Sequence, residues 1–113
     1  MPKLPNAERA QVPLEKLRDY SLNSAHVKGG NKARVFASAL GLTATDAPAL
    51  REMILAAVLT KEAQPGVTDA HGARYTVDFE RQGLQGNMVT IRTAWIVDAG
   101  ETIPRLVSCY VTK

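Results

Sequence analysis

The chain reads as an α+β domain, with about three N-terminal helices packed on one face of a C-terminal antiparallel sheet of three to four strands. Three observations lead there. Apolar residues recur at helical spacing before Gln64 and alternate at strand spacing after it. Turn residues at Gln64-Pro65-Gly66, His71-Gly72, Gly83 to Asn87 and Gly100 punctuate the second half. Helices followed by strands, instead of alternating with them, favour a sheet whose helices gather on one side.

The first dozen residues are polar and proline-punctuated, with Leu4 and Val12 as the anchors. Pro13 suits a first helical turn, and Leu14, Leu17 and Ser21 or Leu22 give a short stripe that ends near Asn23. A second helix has Asn31 as N-cap, Gly41 as its left-handed C-terminal residue, and Val35, Phe36, Ala39 and Leu40 as its apolar face. Thr43 followed three residues later by Asp46 resembles a capping box with Asp in place of Glu, with Thr45 or Asp46 as the alternative cap, and Pro48 follows in the first turn. The third helix presents Leu50, Met53, Ile54, Ala57 and Val58 on one face.

Beyond Gly66, Tyr75, Val77 and Phe79 alternate with polar residues. Met88 to Val97 is expected to be the longest strand, buried on both sides where it reads Ala94-Trp95-Ile96-Val97. The last strand, Arg105 to Thr112, is expected to place Val107, Cys109 and Val111 inward and Leu106, Ser108, Tyr110 and Thr112 outward. The outward sheet face would then be polar and basic, carrying Arg74, Thr76, Thr90, Arg92, Ser108, Tyr110 and Thr112.

With 113 residues, 45% of them hydrophobic, residues 1–113 fit one domain able to bury a core without disulfides or metal. The single Cys109 and the lack of a Cys/His cluster at zinc-ligand spacing point to a reducing compartment, with no metal and no cofactor expected. The opening Met-Pro-Lys-Leu-Pro-Asn has no apolar core of a signal peptide, and no stretch approaches membrane-spanning length, so a cytoplasmic protein without membrane association is expected. A net charge of +3 permits RNA or another polyanion as partner. The low aromatic content argues against an extended base-stacking platform.

Candidate chemistry centres on the segment from Asn23 to Phe36. His26 titrates close enough to neutrality to act as acid or base, or it is a hydrogen-bonded loop residue. Lys32 shares a helical face with Val35, Phe36 and Ala39, which aims it along the packed side: either its stem snorkels or its ammonium reaches the sheet and offsets phosphate charge. Arg92 lies in a segment too apolar for an unpaired guanidinium, so it pairs with Asp78 or Glu80 or lines an anion site. Ser108, Tyr110 and Thr112 offer hydroxyls to that face, whereas His71 is explained by its turn and Cys109 by the core. No phosphate loop is present, and Asp78-Phe-Glu80 is a poor basis for a two-metal nuclease.

Leu4-Pro-Asn-Ala7, Leu17-Arg-Asp-Tyr-Ser-Leu-Asn23, Lys32-Ala-Arg-Val-Phe36, Thr90-Ile-Arg-Thr-Ala-Trp-Ile-Val97 and Pro104-Arg-Leu-Val-Ser-Cys-Tyr-Val111 resemble a bacterial family of small uncharacterised domains. Its members look like stand-alone proteins or C-terminal modules of larger toxins. The layout also resembles the Barnase, EndoU, colicin and RelE group of toxin ribonucleases, a likeness of architecture. That likeness implies metal-independent RNA cleavage with His26 as acid or base, Lys32 and Arg92 as electrostatic stabilisers, and Ser108 or Thr112 as a positioning hydroxyl. The rival readings are a non-catalytic domain binding a small acidic partner of antitoxin or immunity type, and a degenerate structural member of the toxin fold.

Overall fold

The computed structural model describes residues 3–23, 25 and 30–112. A short 3-10 turn at Ala7–Arg9 precedes α1 (Leu14–Lys16), which widens into a π-helical turn over Leu17–Ser21. Then come α2 (Gly30–Leu40), a 3-10 turn at Ala44–Asp46, and α3 (Ala47–Thr60). The strands are β1 (Ala63–Asp69), β2 (Gly72–Gln82), β3 (Met88–Asp98) and β4 (Arg105–Thr112), antiparallel throughout and ordered β1-β2-β3-β4.

The helix ends follow from their sequence. Gly41 closes α2 with φ +71°, and its N–H donates to Ala37 O at 2.9 Å while Leu42 N–H reaches Phe36 O. The Thr43 N–H donates to Asp46 Oδ2 at 2.9 Å, completing the capping box ahead of α3. Helix α2 starts one residue earlier than its expected cap, so Asn31 lies inside it and its side-chain oxygen accepts from Arg34 instead.

One layer of core joins helices to sheet. Leu4, Val12, Leu17, Phe36, Leu50, Ile54 and Val58 meet Val77, Phe79, Ile91, Trp95, Leu106 and Cys109. Leu4 and Val12 thus act as the expected anchors, and Gln11 adds a single parallel bridge to Arg105, with Gln11 N–H on Pro104 O and Leu106 N–H on Gln11 O, both at 2.9 Å.

The sheet corrects the sequence reading in three places. Residues 63–69 form an edge strand that the sequence reading passed over, because Pro65-Gly66 interrupts alternation where the register with β2 shifts. Strand β3 is not the longest, since β2 also has 11 residues. In β4, Ala94 pairs with Ser108 but Trp95 pairs with Leu106, so Val107 is an extra, bulged residue. The bulge reverses the faces expected at its N-terminal end: Leu106 is fully buried and Val107 is 43% exposed. Beyond it, Cys109 points inward and Ser108, Tyr110 and Thr112 lie on the opposite face, as alternation requires.

Candidate functional site

Register fixes what meets on the sheet face turned away from the helices. Asp78, Arg92 and Tyr110 form one row across β2, β3 and β4. Thr76, Ala94 and Ser108 form the row on one side, and Glu80, Thr90 and Thr112 the row on the other. Ser108 and Thr112 therefore flank Tyr110 along β4, each about 7 Å away at the backbone.

Arg92 is ion-paired, which resolves the alternatives left open by its sequence position. Its Nε donates to Asp78 Oδ1 and its Nη2 to Asp78 Oδ2, both at 2.9 Å. The hydrogen bonds and charge of Asp78 hold the guanidinium pKa above its ordinary value, with a smaller contribution from the Tyr110 hydroxyl. The Nη1 edge makes no bond to Asp78, so the fork is oriented by the aspartate without being consumed by it.

Lys32 reaches the same row from a different layer. Helix α2 packs along β4 and buries Gly30, Ala33 and Phe36, which leaves Lys32 exposed on the flank and not on the packed side where the sequence reading put it. The error is one of phase: the inward stripe runs through residues 30, 33 and 36. From that flank the Lys32 ammonium lies over the Tyr110 ring, 4.5 Å from its centroid. Tyr110 thus meets Lys32 and is the cross-strand neighbour of Arg92, a role its sequence signal, one hydroxyl among several on a strand, does not single out.

The structure brings together Lys32, Arg92, Ser108 and Thr112 around one tyrosine, while His26 lies outside the described residues. The face is less basic than expected. Arg74 donates to Asp69 at 2.8 Å and Arg105 to Asp98 at 2.6 Å, so each guanidinium on this face has its own carboxylate. Those arginines flank Ile96 on the outer face, where it is nonetheless buried. Trp95 and Ile96 are thus covered on opposite sides, as the apolar run implied.

At the outer edge of β4 the bulge opens a groove of about 560 Å³ between the strand and α1. Pro13, Glu15, Lys16, Asp19, Tyr20, Val107 and Ser108 line it. Lys16 Nζ donates to Val107 O at 3.3 Å, and Asp19 is held by Arg18 through bonds of 2.9 and 3.1 Å. Sequence reasoning missed this groove because only the bulge turns Val107 outward.

The other singled-out residues take structural roles. His71 closes the β1–β2 turn, with its N–H on Asp69 Oδ1 and its carbonyl accepting from Ala99 N–H, both at 2.9 Å. Burial pushes the Cys109 thiol up to about 12. Among the described residues no group of three or more His, Cys, Asp or Glu side chains is placed to hold a metal ion, and no helix is long and apolar enough to cross a membrane.

The family described as "Domain of unknown function (DUF6883)" matches residues 3–113. No curated protein and no solved structure matches the chain.

Proposed function

We propose, for a chain that belongs to the DUF6883 family, that the open sheet face is the site of a metal-independent ribonuclease of bacterial toxin type. The observation that carries the reading is the Lys32 ammonium over Tyr110, in the row that also holds Arg92. Two cations beside one tyrosine make a seat for a phosphodiester, where negative charge grows during cleavage.

In the reaction, a base removes the 2′-hydroxyl proton and the 2′-oxygen forms a bond to phosphorus. The bond from phosphorus to the 5′-oxygen breaks, and an acid protonates that oxygen. The products are a 2′,3′-cyclic phosphate and a 5′-hydroxyl end, with no redox change. Lys32 and the Nη1 edge of Arg92 stabilise the phosphorane, and the Ser108 or Thr112 hydroxyl positions it. His26, six residues before Lys32 in the chain, serves as acid or base. The competing reading is a docking face for a small acidic protein on the same cations.

The test incubates wild-type, His26→Ala and Lys32→Ala proteins with total cellular RNA in EDTA and maps the fragment ends. Cyclic phosphate ends in the wild-type sample, with a loss of about 10²-fold or more in His26→Ala, are expected. Lys32→Ala is expected to cut more slowly at the same positions. Intact RNA with the wild-type protein overturns the reading.

A further inference from the structure

We propose that the exposed face of α3 is a self-association surface, on which a second copy of this chain docks its own α3, antiparallel, across a two-fold axis near Ala56. The proposal is independent of the ribonuclease reading, because α3 packs on the inner side of the sheet and its exposed face points away from the Arg92 row.

The first argument is the contrast between two helices. Helix α2 turns Asn31, Lys32, Arg34 and Ser38 to solvent, the polar surface expected of a helix packed on one side. Helix α3 buries Leu50, Ile54, Ala57 and Val58, yet the face it leaves exposed is Pro48, Ala49, Glu52, Ala56, Leu59 and Thr60, with a single charge. Its arginine, Arg51, is drawn off that face by the bond from Nε to Val12 O at 2.8 Å. Leu59 is 49% exposed, and Leu55 is only partly covered. An apolar solvent side costs free energy while it stays in water, so this face favours a covering surface.

The second argument is shape. Ala49, Glu52, Ala56 and Leu59 follow one another at alternating three- and four-residue steps, the spacing that lines one seam between two helices. Alanine at the middle of the seam lets two helix axes approach closely, with no side chain beyond Cβ to displace. The 14 residues of α3 give a rod of about 21 Å, so the contact is small, at the low end of specific interfaces. Association is therefore reversible and depends on concentration.

The third argument is charge, and it fixes both the occupant and its direction. Glu52 and Lys61 are both exposed, and among the described residues neither has an ion-pair partner. Lys61 lies just beyond the end of α3, about 13 Å along the axis from Glu52, too far for the two to pair within one chain. A parallel copy would set Glu52 against Glu52. An antiparallel copy crossing at Ala56 sets Glu52 level with Thr60 of that copy and within reach of its Lys61, and the two-fold axis repeats the pair. The helix dipoles then run opposed, which favours the same direction. A face that carries both members of a complementary pair matches itself.

Sedimentation equilibrium of the full chain, from about 10 μM to about 1 mM, tests the proposal, with a circular-dichroism melt of each variant as the check on folding. The wild-type protein is expected to pass from monomer to dimer across that range. Leu59→Glu sets a carboxylate beside Glu52 of the second copy and is expected to stay monomeric. Glu52→Lys and Lys61→Glu are each expected to weaken the dimer about tenfold, and the double variant to recover it, because reversing both charges restores the pair. These two positions are exposed, so the charge reversals carry the test even where Leu59→Glu alters the melt. A wild-type protein that stays monomeric at the highest concentration overturns the proposal. So does a dimer that both single reversals leave unchanged, or one that the double reversal fails to restore.

Discussion

The two faces of β3 solve the problem of polar groups in opposite ways. On the inner face, Val89, Ile91, Thr93 and Trp95 point into the core, and polarity is confined to one closed chain of bonds. Trp95 Nε1 donates to Thr93 Oγ1 at 2.8 Å, and that hydroxyl donates to Val77 O at 2.7 Å. On the outer face, Thr90, Arg92 and Ala94 are partly exposed, and charge is balanced by ion pairs with 36–45% of each side chain still in solvent. A buried polar group must be satisfied by fixed partners, because its desolvation is otherwise uncompensated, whereas an exposed pair can exchange its partner for water or for a ligand anion. The inner face therefore carries stability, and the outer face is free to carry function.

The sharpest way to break this contrast is to hollow the inner face. Trp95→Ala removes the largest fully buried side chain and leaves a cavity, and it is expected to lower unfolding free energy by about 3–5 kcal/mol in urea titration. Thr93→Val keeps shape but deletes the hydroxyl, leaving the Trp95 N–H without its acceptor. A loss of about 1–3 kcal/mol is expected by the same measurement. If Thr93→Val proved neutral, the inner face would be held by packing alone.

Cys109 tests the inner face through its chemistry. Burial raises its thiol from 9.0 to about 12, so the folded state favours the neutral form. The associated stability is fully present below 9.0 and is lost as pH rises toward about 12. A thiol-reactive dye is expected to leave the native protein unlabelled at pH 8 and to label it in denaturant.

Much of the inner face was legible in sequence because local signals and long-range packing agree there. The Thr43–Asp46 box, the left-handed Gly41, and the alternation of Tyr75, Val77 and Phe79 each state their conformation within a few residues. The outer face was only partly legible. Its membership followed from alternation in β2 and β3, but which carboxylate holds Arg92 is a matter of register across 14 residues. The Val107 bulge has no local signature, since a valine flanked by leucine and serine fits a regular strand equally well, and missing it hid the groove. Val35, Phe36 and Ala39 define a plausible stripe that would carry Lys32 inward with them. Packing instead chose the smaller residues Gly30 and Ala33 beside Phe36. The Lys32 contact with Tyr110 joins two elements that only the tertiary fold brings together.

The smallest expected effect lies on the outer face and sharpens the contrast from the opposite direction. Arg105 holds the Asp98 carboxyl below its ordinary range, and the His71 N–H together with Arg74 does the same for Asp69. Depressed carboxylates stabilise the fold above their unfolded values and lose that contribution as pH falls through the lower, folded values. Stability is therefore expected to decline on acidification from about pH 4 downward. In Asp98→Asn that decline is expected to be shallower, while stability at pH 7 changes far less than in Thr93→Val, because solvent already shares the pair. Urea midpoints at pH 7 and pH 3 measure both. A loss at pH 7 as large as that of Thr93→Val would mean that the outer pairs hold the sheet as the inner hydroxyl does, and the division between a stabilising face and a functional one would fail.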